Sequence, residues 1–101
     1  MTLEELRILR IVQGVLVRNY INTQKLDVQV IGSSVYIEGE LEFFEYHSGQ
    51  KHPAPVERDL ETARNLLHIE KSIRLIGEIS HVEFKLRNWQ RVGARWIRRH
   101  V

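Results

Sequence analysis

Apolar residues recur at helical spacing through the first twenty positions. Leu6, Leu9, Leu16 and Tyr20 form one stripe, and Ile8, Ile11, Val12 and Val15 widen it well beyond a simple amphipathic face. Thr2 followed by Glu5 three residues later is a capping-box pattern, and it puts Glu4 and Glu5 in the favourable first turn. A helix apolar over that much of its girth must be covered on two sides, by a sheet that cradles it or by a second copy of the chain. The period then changes to two. Leu26, Val28 and Val30 alternate with Asp27 and Gln29, the pattern of a half-buried strand. Gly32, Ser33 and Ser34 supply turn chemistry. Beyond them Val35, Ile37, Gly39, Leu41 and Phe43 alternate with Tyr36, Glu38, Glu40, Glu42 and Phe44, which predicts a strand with three glutamates on its outward face.

Residues 45–55 contain Gly, Ser, two His and both prolines, and predict a surface loop. A second helix is predicted from about Val56 to Ile76. Leu60, Ala63 and Leu67 lie on one line of it, and Leu66, Ile69 and Ile73 on an adjacent line. Glu70 and Arg74 have the i,i+4 spacing of a surface ion pair, and Gly77 stands where a helix terminator is expected. Val82, Phe84 and Leu86 alternate with Glu83, Lys85 and Arg87 as a third strand. The expected architecture is α+β, an α-β-β-α-β two-layer sandwich with two helices on one face of a three-stranded mixed sheet. The crossover through the second helix makes strand three parallel to strand two, and the hairpin makes strand one antiparallel to it; the strand order stays open.

The run LDVQVIGSSVYIEGEL at 26–41, a helix, then IGEISHVEFKL at 76–86 resembles a BON domain, the family named for bacterial osmotic-shock and nodulation proteins. That family shows V-x-V, a hairpin turn and V-x-L-x-G-x-V, then G-V-x-x-V-x-x-x-L after its second helix. Val35, Ile37, Gly39 and Leu41 fill the first motif. Ile79 and Val82 match the hydrophobic pair of the second, with Gly77 one place earlier than the family's glycine and Glu78 in its stead. These are structural positions. Gly39 within a strand points to a bulge or to a helix crossing close above the sheet. The resemblance implies a phospholipid-binding or envelope-assembly module and not an enzyme.

Charge is unevenly placed. The last fifteen residues hold five arginines and no acid, while the first 86 hold ten basic residues against thirteen acidic ones, so a mildly acidic body (−3) carries a basic tail (+5). The division read from this is a domain at 1–87 and a basic segment at 88–101. On a helix, Trp89, Val92, Trp96 and Ile97 fall at i, i+3, i+7 and i+8, with arginines on the remaining arc. That composition suits a membrane surface, where Trp89 and Trp96 insert and Arg87, Arg91, Arg95, Arg98 and Arg99 pair with head groups. It equally suits a segment docked back on the domain over Glu38, Glu40 and Glu42. The same residues offer phosphate contacts and base stacking to nucleic acid, although no G-x-x-G clamp and no RRM-type aromatic signature occurs.

At 101 residues the chain fits one domain, and its 43% hydrophobic and 28% charged content is that of a globular protein. Without cysteine it has no disulfide, thiolate zinc site or cysteine nucleophile. Residues 8–17 are too short and too polar to span a bilayer, and Glu4 and Glu5 are wrong for a signal n-region, so the chain reads as cytoplasmic, with envelope association implied by the resemblance. His47 and His52 share a loop with Glu45 but have no third ligand in view, so no metal site is assigned. Glu38, Glu40 and Glu42, about 7 Å apart along a strand, are read as a solvated face and not as an acid–base pair. No nucleophile elbow, phosphate loop or dinucleotide fingerprint occurs. The expected function is a small non-enzymatic interaction domain, without cofactor, that contacts an anionic membrane surface through its tail. The alternatives are a homo-oligomer module joined through Ile8, Ile11 and Val15, and nucleic-acid binding by the tail.

Overall fold

A computed structural model describes residues 1–44 and 55–99. Helix α1 (Leu3–Arg18) starts as its sequence dictates. The Thr2 hydroxyl accepts the Glu5 N–H at 3.1 Å, and the Glu5 carboxylate accepts the Thr2 N–H at 2.8 Å. The helix stops short of Tyr20 because that residue turns left-handed, at φ 62°. Its N–H donates to the Val17 carbonyl at 3.0 Å, and the Ile21 N–H reaches back to Leu16 at 3.1 Å, a Schellman closure with tyrosine in the position glycine usually takes. The left-handed turn costs about 1 kcal/mol and takes Tyr20 off the helical stripe into solvent.

Strands β1 (Leu26–Ile31) and β2 (Ser34–Gly39) form an antiparallel hairpin whose two-residue turn has Gly32 at φ 61°. The second carboxylate oxygen of Glu5 accepts the Gly32 N–H at 2.9 Å, tying the start of α1 to this turn. Strand β3 (His81–Leu86) runs parallel to β2, and the sheet order is β1-β2-β3. Register puts Val30, Val35 and Val82 in one row and Val28, Ile37 and Phe84 in the next, all on the core face. Gln29, Tyr36 and Glu83, then Asp27, Glu38 and Lys85, fill the rows on the opposite face.

The second strand does not run on to Phe44. Gly39 ends it at φ 126°, where a Cβ would stand 2.3 Å from the Lys25 carbonyl oxygen. The close approach that requires glycine is therefore to the end of a short 3-10 turn (Thr23–Lys25) leading into β1, and neither α-helix makes it. Beyond the bend, Leu41 still reaches the core and Phe43 bridges to Ile21. Glu40 and Glu42 leave the strand face, and Glu42 pairs with Lys25. The row of three glutamates does not form.

Helix α2 (Pro55–Arg74) buries Leu66, Ile69 and Ile73 completely, in one cluster with Val12 and Leu16 of α1 and the inner rows of the sheet. It ends at Arg74, before Gly77. That glycine is not in the left-handed region and is not the helix terminator; it lies in the next turn, which the Ile79 N–H closes on Ile76 at 3.0 Å. On α1, Ile8 (4% exposed) and Val15 (8%) are enclosed by this same core. They cannot form the subunit contact expected of them, and Ile11 alone of that set stays half-buried.

The basic segment is not a helix. It forms a second hairpin, β4 (Trp89–Val92) paired antiparallel with β5 (Arg95–Arg98), turning at Gly93 with φ 58°. A left-handed glycine in mid-segment is favourable for a two-residue turn and costly within a helix. Trp89 and Trp96 belong to the same core cluster as the helices and the sheet, so the hairpin is part of the domain and not an appendage to it. Among the described residues, no helix is long and apolar enough to cross a membrane.

Candidate functional site between the second helix and the second hairpin

Register sorts the hairpin into two faces. Trp89, Arg91, Trp96 and Arg98 share one, while Gln90, Val92, Arg95 and Ile97 share the other. The first face lies against α2. Trp96 meets Phe84 of β3 edge-on, with ring centroids 5.5 Å apart and planes at 81°. Its indole N–H donates to the Glu70 carboxylate at 3.1 Å.

Glu70 is 4% exposed, and it is a hub, not half of a surface ion pair. One carboxylate oxygen accepts from Trp96 and from the Arg91 guanidinium. The other accepts from Arg74, through Nε at 3.1 Å and Nη2 at 3.0 Å. Arg74 also donates to the Val82 carbonyl at 3.3 Å, and the Arg91 guanidinium lies 5.9 Å from the centre of the Trp96 ring. A buried carboxylate is tolerable only when its lone pairs are satisfied, and here both oxygens have charged donors. Glu70 ties helix α2 to the hairpin, and Arg74, which it holds, ties the helix to strand β3.

The tryptophans are each 5% exposed. They are unavailable for insertion into a lipid interface or for stacking on nucleic-acid bases. They also do not cover the outer face of the sheet above Glu38; they fill the apolar corner between α2 and β3. The arginines divide into two groups. Arg91 pairs with Glu70, and Arg98 pairs with Asp59 at 2.9 Å. Arg87, Arg95 and Arg99 are exposed and have no ion-pair partner among the described residues.

A groove of about 490 Å³ runs between α2 and the hairpin. Leu60, Ala63 and Leu67 form one wall, so the second apolar line of the helix faces this groove and not the sheet. Trp89, Trp96 and Ile97 form the other wall, with Asp59, Arg64, Arg95 and Arg98 at the rim.

The remaining sequence candidates have structural positions. Val35, Ile37, Leu41, Ile79 and Val82 are core residues. His47 and His52 lie outside the described residues. Among the described residues there is no cluster of three His, Asp or Glu able to hold a metal ion. Two groups away from the groove titrate away from their ordinary values. Hydrogen bonding to the Glu42 carboxylate, with its charge, raises the Lys25 ammonium above its ordinary value. The Thr2 and Gly32 N–H groups hold the Glu5 carboxyl below its own.

Sequence reading missed Asn88 altogether. Its side chain accepts the Leu41 N–H at 2.9 Å and donates to the Leu41 carbonyl at 2.8 Å, clamping the chain beyond β2 to the base of the hairpin. No charge or periodicity marks it. The available signal for the hairpin itself is Gly93-Ala94 flanked by two aromatic-and-arginine strands, a period-two pattern that also fits helical spacing. No family model, no curated protein and no solved structure matches this chain.

Proposed function

We propose that this protein is a non-enzymatic interaction module, BON-like in topology, that binds an anionic phospholipid surface through the exposed arginines at and beside its second hairpin. One observation carries the reading. Arg87, Arg95 and Arg99 stand exposed without an ion-pair partner among the described residues, whereas Arg91 pairs with buried Glu70 and Arg98 with Asp59. The antiparallel β1–β2 hairpin and the parallel β2–β3 pair follow the element order that the family resemblance implies, and this supports the lipid target over other polyanions. Binding is peripheral and electrostatic, because both indoles are internal. Each arginine near an anionic bilayer contributes about 1 kcal/mol, so affinity is modest and salt-dependent.

The test is co-sedimentation of the full chain with vesicles of phosphatidylserine and phosphatidylcholine, comparing wild type with the double variant Arg87→Glu/Arg99→Glu. Charge reversal should weaken binding roughly thirtyfold or more, and added salt should do the same. Tryptophan emission should be blue from the start and unmoved by lipid. Equal binding to pure phosphatidylcholine, an unaffected double variant, or displacement of vesicles by a single-stranded oligonucleotide would each overturn the lipid reading.

A further inference from the structure

The groove combines an apolar floor with a cationic rim. Leu60, Ala63 and Leu67 follow one another at i, i+3 and i+7, a line about 10 Å long on the α2 wall. Asp59 and Arg98 neutralise each other across the groove, which leaves Arg64 on the helix wall as the cation without an ion-pair partner among the described residues. The groove is open along its length. That form admits side chains from a segment whose backbone remains outside; its openness, and not its volume, sets it apart from a pocket that encloses a small molecule. A flat bilayer does not reach the floor of a cleft between a helix and a hairpin.

We infer that the groove docks a short acidic amphipathic segment of a protein partner. Apolar side chains one helical turn apart seat against Leu60, Ala63 and Leu67 and the edge of β5 opposite, and carboxylates beside them meet Arg64. The charge complementarity of the rim selects the partner, and the apolar walls hold it. The free cation of the helix wall, Arg64, is not one of the three arginines proposed to meet lipid. Arg64 lies on α2, away from Arg87 and Arg99, and neither of those two lines the groove.

The probe is a fluorescein-labelled helical peptide of roughly twelve residues, about 18 Å long, with leucines on one face and glutamates elsewhere. Its control carries lysine in place of every glutamate. Fluorescence anisotropy with the full chain should show saturable, salt-weakened binding of the acidic peptide and none of the basic one. Arg64→Glu and Leu60→Asp should each weaken binding about tenfold or more, while Arg87→Glu/Arg99→Glu leaves it unchanged. Both altered groove residues are exposed, so near-ultraviolet circular dichroism should match the wild type. Arg64→Glu should retain vesicle binding, which separates failure here from failure of the lipid reading. Equal binding of the basic peptide, unchanged affinity in Arg64→Glu, or no saturation by about 1 mM peptide, a free energy weaker than about −4 kcal/mol, would overturn the inference.

Discussion

Helix α2 has two seams, and they are built differently. Toward the sheet it presents Leu66, Ile69 and Ile73, all fully buried and without a polar atom among them. Toward the second hairpin it presents Leu60, Ala63, Leu67 and Glu70. There one carboxylate with three donors holds the contact, and part of the apolar line is left open as a groove. The dry seam is non-directional and supplies stability. The polar seam supplies orientation, because the Trp96 indole N–H and the Arg91 guanidinium both reach one carboxylate, which Arg74 braces from within the helix, in only one placement of the hairpin. A surface meant to meet a partner needs that fixed placement more than it needs further burial.

The largest difference between the seams should appear on truncation. Ile69→Ala removes a fully buried side chain from the dry seam and should cost about 3 kcal/mol, read as a lowered urea midpoint at unchanged slope. Leu60→Ala on the groove side, where the residue is 56% exposed, should change stability by less than about 0.5 kcal/mol. Comparable losses at the two positions would mean that the groove is closed in solution and that the two seams are alike.

Next in size is the polar hub. Glu70→Ala strips the partner from Arg91, from Arg74 and from the Trp96 N–H. Loss of one member of a buried pair costs about 3–5 kcal/mol, but both arginines are partly solvated, so about 2 kcal/mol is expected. Both tryptophans sit in this hairpin, so their emission reports the seam directly and should shift red as the hairpin loosens. Glu70→Gln keeps an acceptor for the indole and should fall between. An emission spectrum unchanged in Glu70→Ala would show that the apolar contacts of Trp89 and Trp96 hold the hairpin without the carboxylate.

The dry seam was legible in the sequence, because its signal is local: three apolar residues at helical spacing, and strands of strict alternation whose directions follow from hairpin and crossover rules, with the order β1-β2-β3 left for the structure to supply. The capping box at Thr2 and Glu5 is local too. The polar seam was not legible, for two physical reasons. Trp89, Val92 and Trp96 fit helical spacing and not a single strand; Trp89 and Trp96 share a face only because the chain reverses at Gly93, whose left-handed backbone makes the turn. The partners are also distant in sequence. Glu70 meets Trp96 across 26 residues, and Asn88 meets Leu41 across 47, so neither contact leaves a mark on the spacing of its neighbours. Glu70 looked like half of an exposed i,i+4 pair because a pattern of charges does not show which of its members the rest of the chain will bury. The tail's net charge was read correctly, but its tryptophans were assigned to the outside when they belong within.

The smallest effect distinguishes an exposed carboxylate from the enclosed one. Glu5 also joins two elements, α1 and the turn at Gly32, yet it does so in solvent. The Thr2 and Gly32 N–H groups favour its ionised form, so its folded-state value lies below the ordinary 4.5. A carboxyl lowered in this way contributes stability that is fully present above 4.5 and is lost as pH falls through the lower folded value. Glu5→Gln keeps one oxygen acceptor but cannot titrate. The stability gap between wild type and Glu5→Gln, measured by urea unfolding, should therefore be constant near neutrality and shrink as the pH drops below 4.5. A gap independent of pH would mean that geometry alone, and not the charge on the carboxylate, ties α1 to the sheet. The contact would then be a weaker version of the orienting role that Glu70 plays across the other seam.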